Sequence, residues 1–269
     1  MLESEIKIFA DDTKLYNVGN SIGIKSLKED LKLIELWSDE WLIKPNPQKC
    51  AVMHMGKNNP RVEYELNKFQ LKPPKNEKDL GVIIQSDLKI NKQINECVKK
   101  ANSSLRRIKQ NFNYLDATSL TILYKTYVRP HLEYCVQAWS PFLQKDIIKL
   151  ENVQKKATKM VPFLRTLPYE RRLSVLGLTT LEERRNRGDM IEVFKILNGI
   201  DYISDKENFF PQNYNNTRGH CNKLYKRGCN TNLRKNFFNQ RIVNKWNSLP
   251  SQVVEASSVN NFTNRLDKL

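Results

Sequence analysis

Two adjacent carboxylates, Asp11 and Asp12, close the run Phe9-Ala10-Asp11-Asp12. Residues 5–9 alternate polar and apolar and read as a strand; Ala10-Asp11-Asp12 reads as a turn, and residues 13–17 as a returning strand. The acids therefore sit at a hairpin tip. Hard divalent cations take oxygen ligands, and Mg2+ is commonly held by one or two carboxylates plus substrate phosphates. In phosphoryl transfer two such ions about 3.5–4 Å apart stabilise the attacking and leaving oxygens. On its own, Asp-Asp in a turn is far more often an ordinary polar turn.

The other chemistry-bearing residues form weaker patterns. His220, Cys221 and Cys229 are three zinc-ligand types with a seven-residue gap between the thiols, short of the four closely spaced ligands of a structural zinc site. Cys50, Cys97 and Cys135 fall in patterned segments and read as core residues. His54 and His131 have no serine or cysteine placed to form a nucleophilic triad, and neither a P-loop nor a dinucleotide-binding glycine fingerprint is present.

The elements that must position the acids follow from periodicity. Ile24, Leu27, Leu31, Ile34, Trp37 and Trp41 recur at helical spacing and end before Pro45; the stripe reads as core-facing. Residues 50–56, 62–66, 69–71 and 80–84 read as short strands around Pro73-Pro74. Beyond residue 90 the pattern turns helical. Ile90, Ile94, Val98, Ala101, Leu105 and Ile108 share one face; Leu120, Leu123, Tyr124, Tyr127 and Val128 form another, broken or kinked at Pro130. Ile147, Leu150, Val153, Ala157 and Met160 form a third. Pro168 opens a helix that Gly177 caps, and Thr180, followed by Glu182 and Glu183, N-caps a long one ending at Asn198-Gly199. Residues 201–230 read as a connector, and 233–246 and 259–266 as closing helices. The fold class is α+β, with small antiparallel strands and one helix first and a mostly helical remainder.

Charge points to the partner. The 269 residues carry 45 Lys and Arg against 29 Asp and Glu, a net +16. Residues 99–187 hold 18 of the bases and seven of the acids, so +11 lies in one third of the chain. Tyr and Phe interleave with that charge, which sets a nucleic-acid face level with the plain reading of solvated helix faces. No run of 18 apolar residues marks a membrane span, the first five residues carry two acids rather than a basic leader, and five scattered cysteines fit a reducing compartment. The expectation is an intracellular protein without signal peptide or membrane segment.

Phe9-Ala10-Asp11-Asp12-Thr13 resembles the Phe/Tyr-X-Asp-Asp box of reverse transcriptases, in the form found in non-LTR (LINE-type, jockey-like) retrotransposons. Leu36-Trp37-Ser38, Trp41 and Asn46-Pro47-Gln48-Lys49-Cys50 resemble the next block, and Lys78-Asp79-Leu80-Gly81-Val82 the primer-grip block after it, in the same order and spacing. Tyr127-Val128-Arg129-Pro130-His131, Trp139-Ser140-Pro141, Arg184-Arg185-Asn186-Arg187 and Trp246-Asn247-Ser248-Leu249-Pro250 carry the likeness towards the C-terminus.

The resemblance implies an RNA-directed DNA polymerase, a nucleotidyltransferase. It implies a partial palm over residues 1–90, a thumb over 91–165 and a helical C-terminal region of the polyprotein over 166–269. Asp11 and Asp12 then match metal-binding catalytic carboxylates with Mg2+ as cofactor, and Lys49 a general acid near the incoming nucleotide's phosphates. Leu80 and Gly81 match the primer grip. Lys99, Lys100, Arg106, Arg107 and Lys109 match thumb residues that touch phosphates without reading sequence. The implied partners are an RNA template and DNA primer, with no membrane and no small molecule beyond the dNTP; the implied location is nuclear. The family's third catalytic Asp lies on an earlier strand, whereas only eight residues precede Phe9 here. The expectation is a C-terminal fragment that does not polymerise alone, with a non-enzymatic RNA or RNA–DNA duplex-binding remnant as the alternative.

Overall fold

The computed structural model describes residues 2–213 and 219–269; the part of the predicted connector at 214–218 lies outside the described residues. Three two-residue turns build three separate antiparallel hairpins in the first unit, Met1–Lys89. Strand β1 (Glu5–Phe9) pairs with β2 (Asp12–Tyr16), so that Phe9 faces Asp12 across the tip. A helix, α1 (Ser21–Glu40), follows, N-capped by the Asn20 side chain. Strand β3 (Glu65–Leu66) then pairs with β4 (Phe69–Gln70), and β5 (Asn76–Asp79) with β6 (Val82–Gln85). In the last turn Leu80 and Gly81 both have positive φ, 44° and 86°. That pair of left-handed residues is what a tight hairpin matching the strand twist requires, and glycine supplies one of them without strain.

Several expectations for this unit are corrected. Residues 50–56 do not form a strand; Ala51 alone bridges to Lys72. The strand expected at 62–66 shrinks to Glu65–Leu66, Leu80 lies in a turn, and Asn76–Asp79 is an unforeseen strand. Asp12 belongs to β2 rather than to the turn.

The α1 stripe is not a core face throughout. Leu27 and Leu31 pack on the small core of Tyr64, Leu66 and Leu71, but Trp37 and Trp41 are 50% and 63% exposed. The fully buried positions of α1 are Gly23, Ser26, Asp30 and Ser38. The physical reason is supply. A 20-residue helix is about 30 Å long, and two-residue strands cover only part of it, around Leu27 and Leu31. The Asp30 carboxylate is buried because it accepts the backbone N–H groups of Glu3 (3.0 Å) and Ser4 (2.7 Å). Burial works against its charge, but those hydrogen bonds prevail and hold its pKa below the usual carboxylate value.

The second unit, Ile90–Leu269, is helical. Helix α2 (Asn91–Asn111) buries Ile94, Cys97, Ala101, Leu105 and Ile108. A five-residue loop leads to α3 (Ala117–Leu123), which continues through a π-helical turn, Tyr124–Val128, into α4 (Arg129–Glu133). The Arg129 N–H donates to the Tyr124 carbonyl, five residues back. Pro130 has no N–H and its ring crowds the carbonyl four residues earlier, which a wider turn relieves. The turn also corrects the predicted face. Leu120, Tyr124, Val128 and Leu132 are buried at steps of four, while Tyr127 is turned outward and 59% exposed.

After α5 (Val136–Trp139) come α6 (Gln144–Thr158), α7 (Tyr169–Leu176) and α8 (Leu181–Leu197). Gly177 closes α7 at φ 56°, and Thr180 and Glu183 form a capping box at the start of α8, as the spacing predicts. Cys135, expected in the core, is exposed with φ 52°. It occupies the left-handed corner between α4 and α5, a position whose backbone turns its side chain to solvent. None of the five cysteines forms a disulfide.

The remaining elements are short: α9 (Lys206–Phe209), α10 (Asn232–Lys235), α11 (Phe238–Arg241), α12 (Val243–Asn247), α13 (Ser251–Val254) and α14 (Val259–Leu266). The single closing helix expected over 233–246 is thus three pieces. Phe237 is extended (ψ 149°) between α10 and α11; the break lets Phe238 enter an aromatic cluster with Phe209 and Phe210. Their core centres on Phe194, Trp246 and Phe262, with Phe194 and Phe262 stacked at 4.4 Å. Arg241 clamps the Asp189 carboxylate with two hydrogen bonds (2.8 and 3.0 Å) and reaches the Gln137 carbonyl. Burial pushes the Asp189 carboxyl upward, opposed by Arg241.

Candidate carboxylate tip and basic face

In the first unit the two chemically suggestive turns are neighbours. Lys14 of β2 forms a half-buried ion pair with Asp79, the last residue of β5. Lys14 lies two residues after Asp12, and Leu80-Gly81 directly follow Asp79, so the carboxylate tip and the β5–β6 turn share one edge. Both Asp11 and Asp12 are exposed. Asp12 takes part in the β ladder through its backbone, leaving its carboxylate clear of the pairing.

A metal centre of the implied kind needs more acids than these two. Among the described residues no group of three His, Cys, Asp or Glu side chains converges to hold an ion. Glu3 is engaged by the Ser26 hydroxyl (2.7 Å), Glu5 by Lys7 (2.9 Å), and Asp30 by backbone amides. The described residues therefore do not make up a two-metal site.

Lys49 is exposed in an Asx turn, in which the Gln48 N–H donates to the Asn46 side chain at 3.0 Å. The partial burial expected of a general acid is not provided by its neighbours. The described residues show no hydrogen bond or ion pair from Lys49 to Asp11 or Asp12.

The second unit places every basic residue singled out on α2 at the surface: Lys99, Lys100, Arg106, Arg107 and Lys109 are all exposed. They fall on two flanks of the helix, because 3.6 residues per turn separates Lys99 and Arg106 from Lys100 and Arg107. Their neighbour α6 contributes a basic stripe that the candidate set omitted. Lys145, Lys149, Asn152, Lys156 and Lys159 are exposed at steps of four, three, four and three, a single outward face. The same spacing was present in the sequence. Lys149 hydrogen-bonds Asn95 of α2, so the two basic surfaces adjoin.

A buried polar chain holds this face rigid. The Tyr124 hydroxyl donates to Gln154 Oε1 at 2.6 Å. Gln154 Nε2 donates to the Tyr169 hydroxyl (2.8 Å) and the Thr179 carbonyl (2.9 Å). Tyr169 in turn donates to Glu151, which also accepts the Leu181 N–H at 3.1 Å. Burial pushes both tyrosines well above the ordinary phenol value, so both act as neutral donors. Beside them Glu133 is held by a two-pronged contact from Arg184. The network joins the π turn, α6, α7 and α8.

No protein-family model matches the chain, and no solved structure matches it. Among curated proteins, it is 23% identical over 180 residues to an RNA-directed DNA polymerase from the mobile element jockey of Drosophila melanogaster. The aligned region is 63% of this chain and 20% of that polymerase, so the chain spans about a fifth of the relative's length. The likeness is distant and reaches the reverse-transcriptase type at its coarsest. No helix among the described residues is long and apolar enough to cross a membrane.

Proposed function

We propose that this chain is a part of a retrotransposon RNA-directed DNA polymerase, comprising the carboxylate-bearing part of the palm, a thumb and a helical C-terminal region. In this reading Asp11 and Asp12 are two of the catalytic metal ligands, and Lys49 serves the leaving phosphates. Leu80 and Gly81 face the primer, and the α2–α6 surface grips the phosphates of the template–primer duplex. The observation that carries the reading is the exposed Asp11–Asp12 tip held beside the Leu80–Gly81 turn by the Lys14–Asp79 pair. The likeness to the jockey polymerase supports it. Because the acids at hand do not complete a two-metal site, the chain by itself binds duplex without extending it. That same observation favours the second reading, a non-enzymatic binder of RNA or RNA–DNA duplex.

The test uses the purified chain with an oligo(dT)-primed poly(rA) duplex and Mg2+ or Mn2+. The expected result is no primer extension, together with duplex affinity that falls steeply with salt. Each phosphate contact adds about 0.9 to the slope of log affinity against log salt. Replacing Lys145, Lys149, Lys156 and Lys159 by Ala should then lower that slope by about 3.6. Template-dependent product above an Asp11→Ala, Asp12→Ala control would refute inactivity of the chain alone. Binding indifferent to salt would refute the duplex face.

A further inference from the structure

The π turn creates a surface that the basic face does not explain. We infer that Tyr127 and Tyr134 form a stacking platform for unpaired nucleotides at the margin of the duplex-binding face; the inference rests on the nucleic-acid reading above. Tyr127 is 59% and Tyr134 58% exposed. They stand seven residues apart, about 10 Å along a helix axis, with the half-buried His131 between them on that side. An uninterrupted α-helix would have kept Tyr127 with Tyr124 on the buried face. The wider turn expels it while Tyr124 stays anchored on Gln154. Tyr134 is fixed from below, since its carbonyl accepts the Trp139 indole N–H at 2.8 Å and Trp139 is buried.

Charge complementarity identifies the occupant. Around α2, with about 100° per residue, Asn95, Lys99 and Arg106 lie on one flank, and Gln93, Lys100 and Arg107 on the other. Asn95 meets Lys149, so the first flank looks towards α6. Helix α2 also packs on the π turn and α4, so the second flank looks towards them; Gln93 there is 3% exposed. Lys100, which has the Glu96 carboxylate 3.9 Å away, and Arg107 are both exposed and thus border the tyrosine face. Two outward phenol rings bordered by two cations fit a nucleic-acid strand whose bases stack on the rings while its phosphates meet the cations. A duplex keeps its bases stacked on each other and offers the rings nothing along its length.

The experiment titrates the full chain into a short 2-aminopurine-labelled single strand and into a blunt duplex of the same sequence. Three proteins are compared: wild type, Tyr127→Ala/Tyr134→Ala, and Tyr127→Phe/Tyr134→Phe. The Ala pair should lose about tenfold or more in single-strand affinity, and with it the quenching of 2-aminopurine, while duplex affinity stays unchanged. The Phe pair, which keeps the rings, should bind as wild type. The platform is overturned by an Ala pair that binds single strand normally, or that loses both substrates equally. It is also overturned if the Ala pair dissociates an oligomer of the wild-type chain, which would give this face to a protein contact. Salt-dependent duplex binding with an insensitive single strand sinks this inference alone; no binding of either nucleic acid by wild type sinks the duplex face as well.

Discussion

Tyr124→Phe removes one oxygen atom from the second unit and tests whether the buried chain of Tyr124, Gln154, Tyr169 and Glu151 holds its helices in register. The ring stays: Tyr124 is 1% exposed, and a phenylalanine fills the same space. What is lost is the 2.6 Å hydrogen bond to Gln154 Oε1. Gln154 is itself fully buried, and its Nε2 is committed to Tyr169 and Thr179. The side-chain amide therefore cannot flip to rescue its oxygen without unpairing both donations. Leaving a buried acceptor unpaired costs about 1–3 kcal/mol. With roughly 2–4 °C per kcal/mol for a unit of this size, a central value of about 2 kcal/mol lowers Tm by about 6 °C. Urea unfolding followed by far-UV circular dichroism is the assay, and the midpoint should fall at constant m-value. A loss below about 0.5 kcal/mol, well under the cost of an orphaned acceptor, would show that Gln154 is not enclosed as described, and the argument for a rigid basic face would fall with it.

Two further perturbations probe other joints. His220 is 3% exposed, with Nε2 3.1 Å from the Trp246 carbonyl and Nδ1 without a hydrogen-bond partner among the described residues. Burial holds its pKa below the ordinary 6.5. Between the folded value and 6.5 the unfolded chain binds more protons, so stability is present above pH 6.5 and is lost as pH falls below it. His220→Gln should flatten the dependence of Tm on pH between about 7.5 and 5.5; parallel curves for variant and wild type would refute the assignment. Thr180→Ala removes half of the capping box of α8 and should lower stability by about 1 kcal/mol in urea, whereas Thr180→Ser should retain it. An unchanged Ala variant would mean that α8 does not depend on its cap.

The candidate site was legible where its chemistry is local. A hairpin tip is set by residues close in sequence, so alternation alone placed Asp11 in the turn, though Asp12 proved to open β2, and helical spacing placed the exposed bases of α2. Lys49 shows the limit. A loop lysine's burial depends on what packs over it, and nothing in Asn46-Pro47-Gln48-Lys49 announces that it stays in solvent. The α6 stripe was readable at its spacing of three and four, but only the Lys149 contact to Asn95 shows that it adjoins α2.

Local rules also govern much of the fold. The capping box at Thr180 and the left-handed glycine at 177 terminate their helices through backbone groups a few residues away. The apolar spacing of α2 places its buried face because one helix period suffices to define it. Tertiary structure decided what periodicity cannot encode. Which face of α1 is covered depends on how much strand is available to cover it, so Ser26 and Asp30 went in while Trp37 and Trp41 stayed out. The π turn before Pro130 changed the period within a helix, so Tyr124 and Val128 point inward and Tyr127 outward. The Lys14–Asp79 pair, 65 residues apart in the chain, joined two turns, because an ion pair is selected by proximity in space and leaves no period in the chain.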